Sequence, residues 1–179
     1  MTGAENQQER LIEFRGWVIG FVDGEGCFSI GFVRQPRRRD RAGYATGIQV
    51  TPRFVVTQGM SSVHVLEELQ EFFGCGRLSV NRRHDDHKEH LGQYIVAGRR
   101  DLVERIVPFF RRYPLRTAKQ ADFEKFATCV ELMEHGRHTI PSGLLEIVRI
   151  AETMNRRKPR AELIRILRDY TPEALDTGS

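Results

Sequence analysis

At 179 residues, the chain is long enough to bury one hydrophobic core with at most a small appendage. Its 28 lysines and arginines exceed the 24 aspartates and glutamates by only four. The positions of the charged residues therefore indicate possible partners better than the net charge does. Because the N-terminus is polar and no apolar run reaches the roughly eighteen residues of a membrane span, we expect an intracellular protein (cytoplasm, nucleoid or organelle) that is neither secreted nor inserted in a membrane.

The first predicted element is a helix. Residues 1–10 read as a polar tail, and from about Glu9 apolar residues recur at helical spacing. Gly24 or Gly26 is expected to end the helix, since glycine accommodates the backbone that follows a last helical turn. We expect a single domain over residues 11–170 that includes a C-terminal helical extension, followed by a short tail at 171–179.

The end of this helix carries the most specific pattern in the chain. Gly16 and Gly20 share one helical face and would admit a second backbone at close range, at a cost of about 1 kcal/mol each relative to alanine. Asp23 and Glu25 lie at the negative end of the helix dipole, where acids are disfavoured unless a cation is near. The pattern predicts close packing against a partner and a metal site.

Four stretches of alternating polarity predict β-strands. The first two form a hairpin, and Pro52 predicts an edge or a bulge in the second. A helix capped by Ser61 and closed by Gly74 follows. After the fourth strand, one helix ends near Pro114, the next starts at about Thr117, and two more are predicted beyond it. This αββαββα order with extra C-terminal helices predicts an α+β fold, in which helices cover one face of an antiparallel sheet.

The strand residues that alternate with the apolar ones form a polar set. Asn, Gln, Arg and Ser side chains read base edges, and a two-stranded ribbon fits the DNA major groove. The predicted DNA-binding residues of the strands are Ser29, Gln49, Thr51, Arg53, Ser79, Asn81, Arg83 and Gln93.

The loop between the first two strands is strongly basic. Charge runs are usually solvated loops. This run lies at the tip of a hairpin whose polar face is predicted to contact DNA, so we favour phosphate contact over simple solvation. Its members are Arg34, Arg37, Arg38, Arg39 and Arg41.

Two other groups of residues are not predicted to form a disulfide or metal site. The three cysteines are widely spaced without a Cys-x-x-Cys pair, which fits a reducing compartment and argues against a disulfide framework or a zinc knuckle. The histidines and aspartates of residues 84–90 match no strong metal-ligand spacing, so we interpret this segment as an exposed turn.

Residues 18–26, Val-Ile-Gly-Phe-Val-Asp-Gly-Glu-Gly, resemble the motif of the LAGLIDADG homing endonucleases. The context resembles the family as well: the αββαββα order, the segment 55–58, the helix stop at 73–76 and the segment 114–123. Together these features cover about residues 11–130.

The resemblance implies a saddle of antiparallel strands on double-stranded DNA, with two motif helices side by side and their acids delivering divalent metal to the scissile phosphates. The sequence holds one motif. The resemblance therefore implies a homodimer with Gly16 and Gly20 at its interface, which reads a long, partly palindromic site. The expected cofactor is Mg²⁺, and Mn²⁺ or Ca²⁺ can occupy the same site.

The motif residues take roles by position in the family pattern. Glu25 matches the final acid, which binds the catalytic metal, although the written motif has Asp there. Gly24 matches the position whose carbonyl faces the metal, and Asp23 the first acid, expected mainly to terminate the helix.

Two residues outside the motif complete the implied catalytic set. Gln58 matches a polar residue that helps to place the water. Lys119, with Arg116 as the alternative, matches the basic residue that stabilises charge on the phosphate.

Two functions remain open from the sequence. One is a metal-dependent, site-specific DNA endonuclease that mobilises an intervening sequence. The other is a non-cleaving binder on the same scaffold, either an RNA maturase or a DNA-binding regulator, and RNA is a partner only in this case. Glu25 favours cleavage, because a pure binder has no need of a carboxylate that repels phosphate.

Overall fold

The computed structural model describes residues 3–35, 46–82 and 89–155, together with residues 160, 161, 163 and 164. The helices are α1 (Gly3–Glu25), α2 (His64–Phe73), α3 (Arg99–Asp101), α4 (Val107–Arg112), α5 (Lys119–Glu134) and α6 (Pro141–Glu152). The strands are β1 (Gly26–Arg34), β2 (Ile48–Gly59), β3 (Arg77–Asn81) and β4 (Leu91–Val96). A π-helical segment, Leu102–Ile106, joins α3 to α4, and 3₁₀ turns lie at Met60–Ser62 and Arg137–Thr139. This order confirms the predicted α+β fold.

The four strands form one sheet in the order β1-β2-β4-β3. β4 pairs antiparallel with both neighbours, and one row of the ladder places Thr57 opposite Gln93 and Gln93 opposite Ser79. The adjacent row contains Val56 and Tyr94, both fully buried. Because successive side chains point to opposite faces, one face of this ladder is apolar and the other polar, as predicted.

The chain divides into two compact units, one of residues 1–28 and 53–123 and the other of residues 29–52 and 124–179. The first unit has an aromatic core. Phe54 stacks against Phe28 with ring centroids 5.0 Å apart, and Phe110 meets both rings edge-on at 5.5 and 5.7 Å. On the same face of the sheet, Phe73 of α2 lies 6.2 Å from Tyr94. Helices α2 and α4 therefore cover the apolar face of the ladder.

The second unit is built on the other half of β2, on β1 and on α6. Its core residues are Ile30, Ile48, Val50, Phe126, Ala127, Cys129, Val130, Leu144, Ile147 and Val148, all buried. The Gln35 N–H donates to the Gly47 carbonyl at 2.9 Å and closes the ends of the β1–β2 connection. Among the described residues, none of the helices combines the length and apolar character that a bilayer crossing requires.

Two local predictions were wrong, and a third, for Pro52, is consistent with the sheet. Helix α1 begins at Gly3 and not near Glu9, because the polar residues before Glu9 are mostly good helix formers that need no buried face. Ser61 does not cap α2: it lies in the 3₁₀ turn before the helix, where its backbone N–H donates to Glu89. Pro52 lies in the part of β2 that β4 does not pair with, because the ladder between these strands starts only at Phe54, so the strand has a local edge on that side.

Candidate catalytic and DNA-binding site

The C-terminal end of α1 is hydrogen-bonded to the loop that precedes α5. The Asp23 carboxylate accepts bonds from the Arg116 N–H at 2.7 Å, the Thr117 N–H at 3.2 Å and the Thr117 hydroxyl at 2.6 Å. The same hydroxyl accepts the Lys119 N–H at 3.2 Å. Asp23 therefore holds the start of α5 against the end of α1.

Lys119 makes the reciprocal connection. Its ammonium group donates to the carbonyls of Val22 at 2.9 Å and of Gly24 at 3.0 Å. These carbonyls belong to the last turn of α1, where backbone acceptors lack helical partners and the dipole favours a cation. Lys119 thus lies at the motif, and Arg116 contributes its backbone N–H to the same junction.

Burial and the neighbouring charges shift the pKa values of Asp23 and Lys119 in opposite directions. Burial raises the pKa of the Asp23 carboxyl, but the hydrogen bonds from Thr117 and Arg116 and the charge of Lys119 outweigh it and hold this pKa below its ordinary value. Burial lowers the pKa of the Lys119 ammonium, and the nearby Asp23 and Glu25 carboxylates only partly oppose that shift.

Glu25, the last residue of α1, is exposed. Among the residues that the structure describes, none donates a hydrogen bond to its carboxylate. The chain turns directly from α1 into β1 after it, and Gly26 is required there because a Cβ would lie 2.7 Å from the Val22 carbonyl oxygen. The tight turn leaves the Glu25 carboxylate exposed at the end of α1, one residue after Gly24.

The described residues contain no group of three or more His, Cys, Asp or Glu side chains able to hold a metal ion. They do provide two oxygen donors at the motif, the Glu25 carboxylate and the Gly24 carbonyl. Mg²⁺ prefers oxygen ligands and retains several waters, so this donor set fits a hydrated divalent ion that phosphate oxygens complete. It does not fit a closed structural site of the zinc type.

Gln58 lies on β2 opposite Gly92 of β4, on the face of the sheet that also carries Phe54 and Val56. Its side chain is half-buried and makes no hydrogen bond to Glu25 or Lys119. The structure therefore brings together the helix end and Lys119, whereas the role predicted for Gln58 stays a prediction.

Two predicted DNA-binding residues of the first unit, Ser79 and Gln93, lie in one cross-strand row of the sheet. Thr57 belongs to the same row, and its hydroxyl accepts a hydrogen bond from the Gln93 amide at 3.4 Å. Asn81 and Arg53 are exposed at other positions on these strands. Together these side chains form a polar surface that can donate and accept hydrogen bonds.

In the second unit, Gln49 accepts a hydrogen bond from Gln35 at 2.8 Å. The Thr51 side chain lies so close to Gly31 that a Cβ atom at residue 31 would collide with the Thr51 hydroxyl. Arg34 is exposed and Ser29 half-buried. The remaining predicted DNA-binding residues, Arg37, Arg38, Arg39, Arg41 and Arg83, lie outside the described residues, as do residues 84–88 of the predicted turn.

Packing against the described residues of the unit does not require glycine at three positions of α1. At Gly16, Gly20 and Gly24, spaced four residues apart, a Cβ would meet nothing within 4 Å. Leu11 and Ile12, on the preceding turn, are 46% and 59% exposed. The glycines therefore lower helix propensity without any compensating contact inside the described chain.

The sequence did not identify Thr117 as a site residue. Its hydroxyl is both donor and acceptor in the junction between α1 and α5. The residues around Thr117 indicate only the start of a helix. Nothing in them points to Asp23, which lies 94 residues away in the sequence.

Replacing Asp23 with Asn should lower the free energy of unfolding by about 1 kcal/mol at pH 7, since the hydrogen bonds to an ionised group are largely exposed. The pKa of Asp23 is lowered in the folded state, so its stabilisation is present above the ordinary value of 3.8 and is lost as the pH falls through the lowered folded-state pKa. Urea unfolding of both proteins at several pH values measures the difference. Glu68→Gln on α2 is the control, and an equal loss in that variant would contradict the assignment.

A model of the LAGLIDADG endonuclease family matches residues 18–130. The crystal structure of a homing endonuclease, I-TnaI, superposes with a TM-score of 0.71 at 38% identity over 88% of this chain and 97% of that one. I-SmaMI, bound to an uncleaved DNA target in the presence of calcium ions, gives a TM-score of 0.69 at 28% identity over 90% of this chain and 49% of that one.

A curated relative, "Probable intron-encoded endonuclease 2" of Neurospora crassa, is 27% identical over 138 residues, which are 77% of this chain. The chain spans only 26% of that relative's length.

Proposed function

Because this chain belongs to the LAGLIDADG endonuclease family, we propose that it is a site-specific DNA endonuclease that acts as a homodimer with a divalent metal. The observation that carries the proposal is the end of α1. There the exposed Glu25 carboxylate receives no hydrogen bond from any residue that the structure describes, and the preceding residue, Gly24, has a backbone carbonyl that accepts a bond from the Lys119 ammonium.

Glu25 and the Gly24 carbonyl would hold Mg²⁺, and phosphate oxygens and water would complete the ion's ligands. Bound there, the ion would supply an activated water and neutralise the charge that develops on the phosphate. I-SmaMI is bound to an uncleaved DNA target in the presence of calcium ions, which supports a divalent metal for this chain.

The protein groups have separate tasks. Lys119 keeps a positive charge at the helix end, where it can stabilise the phosphate during hydrolysis. Asp23 and Thr117 fix the loop that precedes Lys119, so they act as positioning residues. Gln58 is proposed to place the water when DNA is bound.

The homodimer is supported by the glycine face of α1. Gly16 and Gly20 leave room for a second helix, and a two-fold pairing of α1 would bring two Glu25 carboxylates together, each serving one DNA strand. A second copy of this chain would also supply the part of I-SmaMI that one copy does not cover.

DNA recognition is assigned to the polar strand residues and to the basic loop. A two-stranded ribbon fits the major groove, and Arg, Gln, Asn and Ser side chains pair with base edges. A symmetric dimer reads related half-sites, so the target is proposed to be long and partly palindromic.

A cleavage assay tests the proposal. The genomic sequences on either side of the intervening segment that contains this reading frame are joined as a continuous duplex and incubated with the protein and Mg²⁺. We expect one double-strand break at the junction, and none in EDTA. Binding of this duplex without any cut in Mg²⁺ or Mn²⁺ would instead identify a non-cleaving binder.

A further inference from the structure

A second cluster of charged and aromatic side chains lies away from the motif, between α1, α2 and α4 of the first unit. It surrounds a cavity of about 360 Å³, here named the arginine–aromatic cavity. Among the described residues that line it, none is acidic. Its principal lining residues are Arg15, Arg105, Arg112, Phe72, Phe109 and Tyr113.

The three arginines line the cavity together. Within the described part of the chain, none of them forms an ion pair. Arg105 is held in place, since its Nη1 donates to the Phe73 carbonyl at 2.9 Å. Like charges that share a cavity repel each other, so the cavity has a net attraction for an anion.

The rings provide flat surfaces next to these charges. The guanidinium carbons of Arg15 and Arg112 lie 5.6 and 5.5 Å from the centroid of the Tyr113 ring. The Phe109 ring is 5.2 Å from Tyr113 and 5.4 Å from Phe72. All three rings are half-buried, so part of each remains accessible.

The arginine guanidinium binds phosphate through two parallel hydrogen bonds, and aromatic rings stack on nucleobases. A base can stack on a side chain only when it is not paired and stacked in a duplex. We propose that the arginine–aromatic cavity binds an unpaired nucleotide of a single-stranded nucleic acid.

This site is separate from the surface proposed for duplex DNA. The Phe73 ring, beside the cavity, packs on Phe54 at 6.0 Å, on the apolar face of the sheet. Arg53 precedes Phe54 on β2 and belongs to the opposite face. Substitutions at the two places should therefore affect different ligands.

The test is fluorescence anisotropy with the full chain in EDTA, using a labelled 12-nucleotide single strand as RNA and as DNA, and the corresponding duplex DNA. Arg112→Gln and Tyr113→Leu should each weaken single-strand binding about tenfold and leave duplex binding unchanged. Arg53→Gln should do the reverse. The RNA and DNA strands identify which nucleic acid the cavity prefers.

Tyr113→Phe keeps the ring and should bind the single strand as the wild type does. If Tyr113→Leu unfolds by circular dichroism, Arg15→Gln replaces it. Wild-type affinity for the single strand in Arg112→Gln and in Tyr113→Leu or Arg15→Gln would overturn the proposal, as would a wild type that binds neither single strand. Neither result bears on cleavage of the duplex, so the nuclease proposal is tested independently.

Discussion

Glu25→Gln should reduce the rate of DNA cleavage in Mg²⁺ by about 10³-fold or more. The substitution keeps the shape of the side chain but removes the charge that would hold the metal, and metal stabilisation of the reacting phosphate is worth several kcal/mol. Single-turnover cleavage of the proposed duplex measures the rate. Binding of the same duplex, measured in Ca²⁺ or EDTA, should not weaken, because Glu25 is exposed and its loss removes a repulsion from phosphate.

Two further variants test whether the loss of cleavage is specific to the Glu25 carboxylate. Glu25→Asp restores the acid of the written family motif and should retain most of the activity. Glu68→Gln removes one exposed negative charge from α2 and should cleave as the wild type does. Full cleavage by Glu25→Gln would show that the carboxylate is not needed for the reaction. A loss of DNA binding in that variant would show that the defect is not catalytic.

Gly20→Leu should have opposite effects on the single chain and on its assembly. The unit has open space at Gly20, and replacing glycine in a helix gains close to 1 kcal/mol of helix propensity, so thermal stability should be equal or higher. In a close pairing of two α1 helices, the added side chain appears twice at the two-fold axis. Dimer affinity should then fall about 100-fold or more, and double-strand cleavage with it.

Sedimentation analysis of the free protein and of the protein with duplex DNA measures this effect. Gln8→Leu adds the same side chain to an exposed position elsewhere on α1 and should leave assembly unchanged. If Gly20→Leu still sediments as the wild type does and cuts both strands, the glycine face is not the dimer interface. Gly16→Leu repeats the test one helical turn earlier.

The sequence by itself determined the elements and their faces. The alternation of Phe54 and Val56 with Arg53 and Val55 predicted which side of β2 is buried, because side chains alternate along any strand. Gly74 predicted the end of α2 and adopts a left-handed conformation with φ of 59° there, which glycine accepts without steric cost. These features are local, so a few neighbouring residues suffice to specify them.

Only the tertiary structure decided how the proposed catalytic residues are held. The bond from Thr117 to Asp23 joins residues 94 positions apart, and the bond from Lys119 to Val22 joins residues 97 positions apart. The arginine–aromatic cavity likewise gathers Arg15 with Tyr113. Single contacts between distant residues have no periodicity, so they leave no pattern in the sequence and arise only when the packed helices bring their ends together.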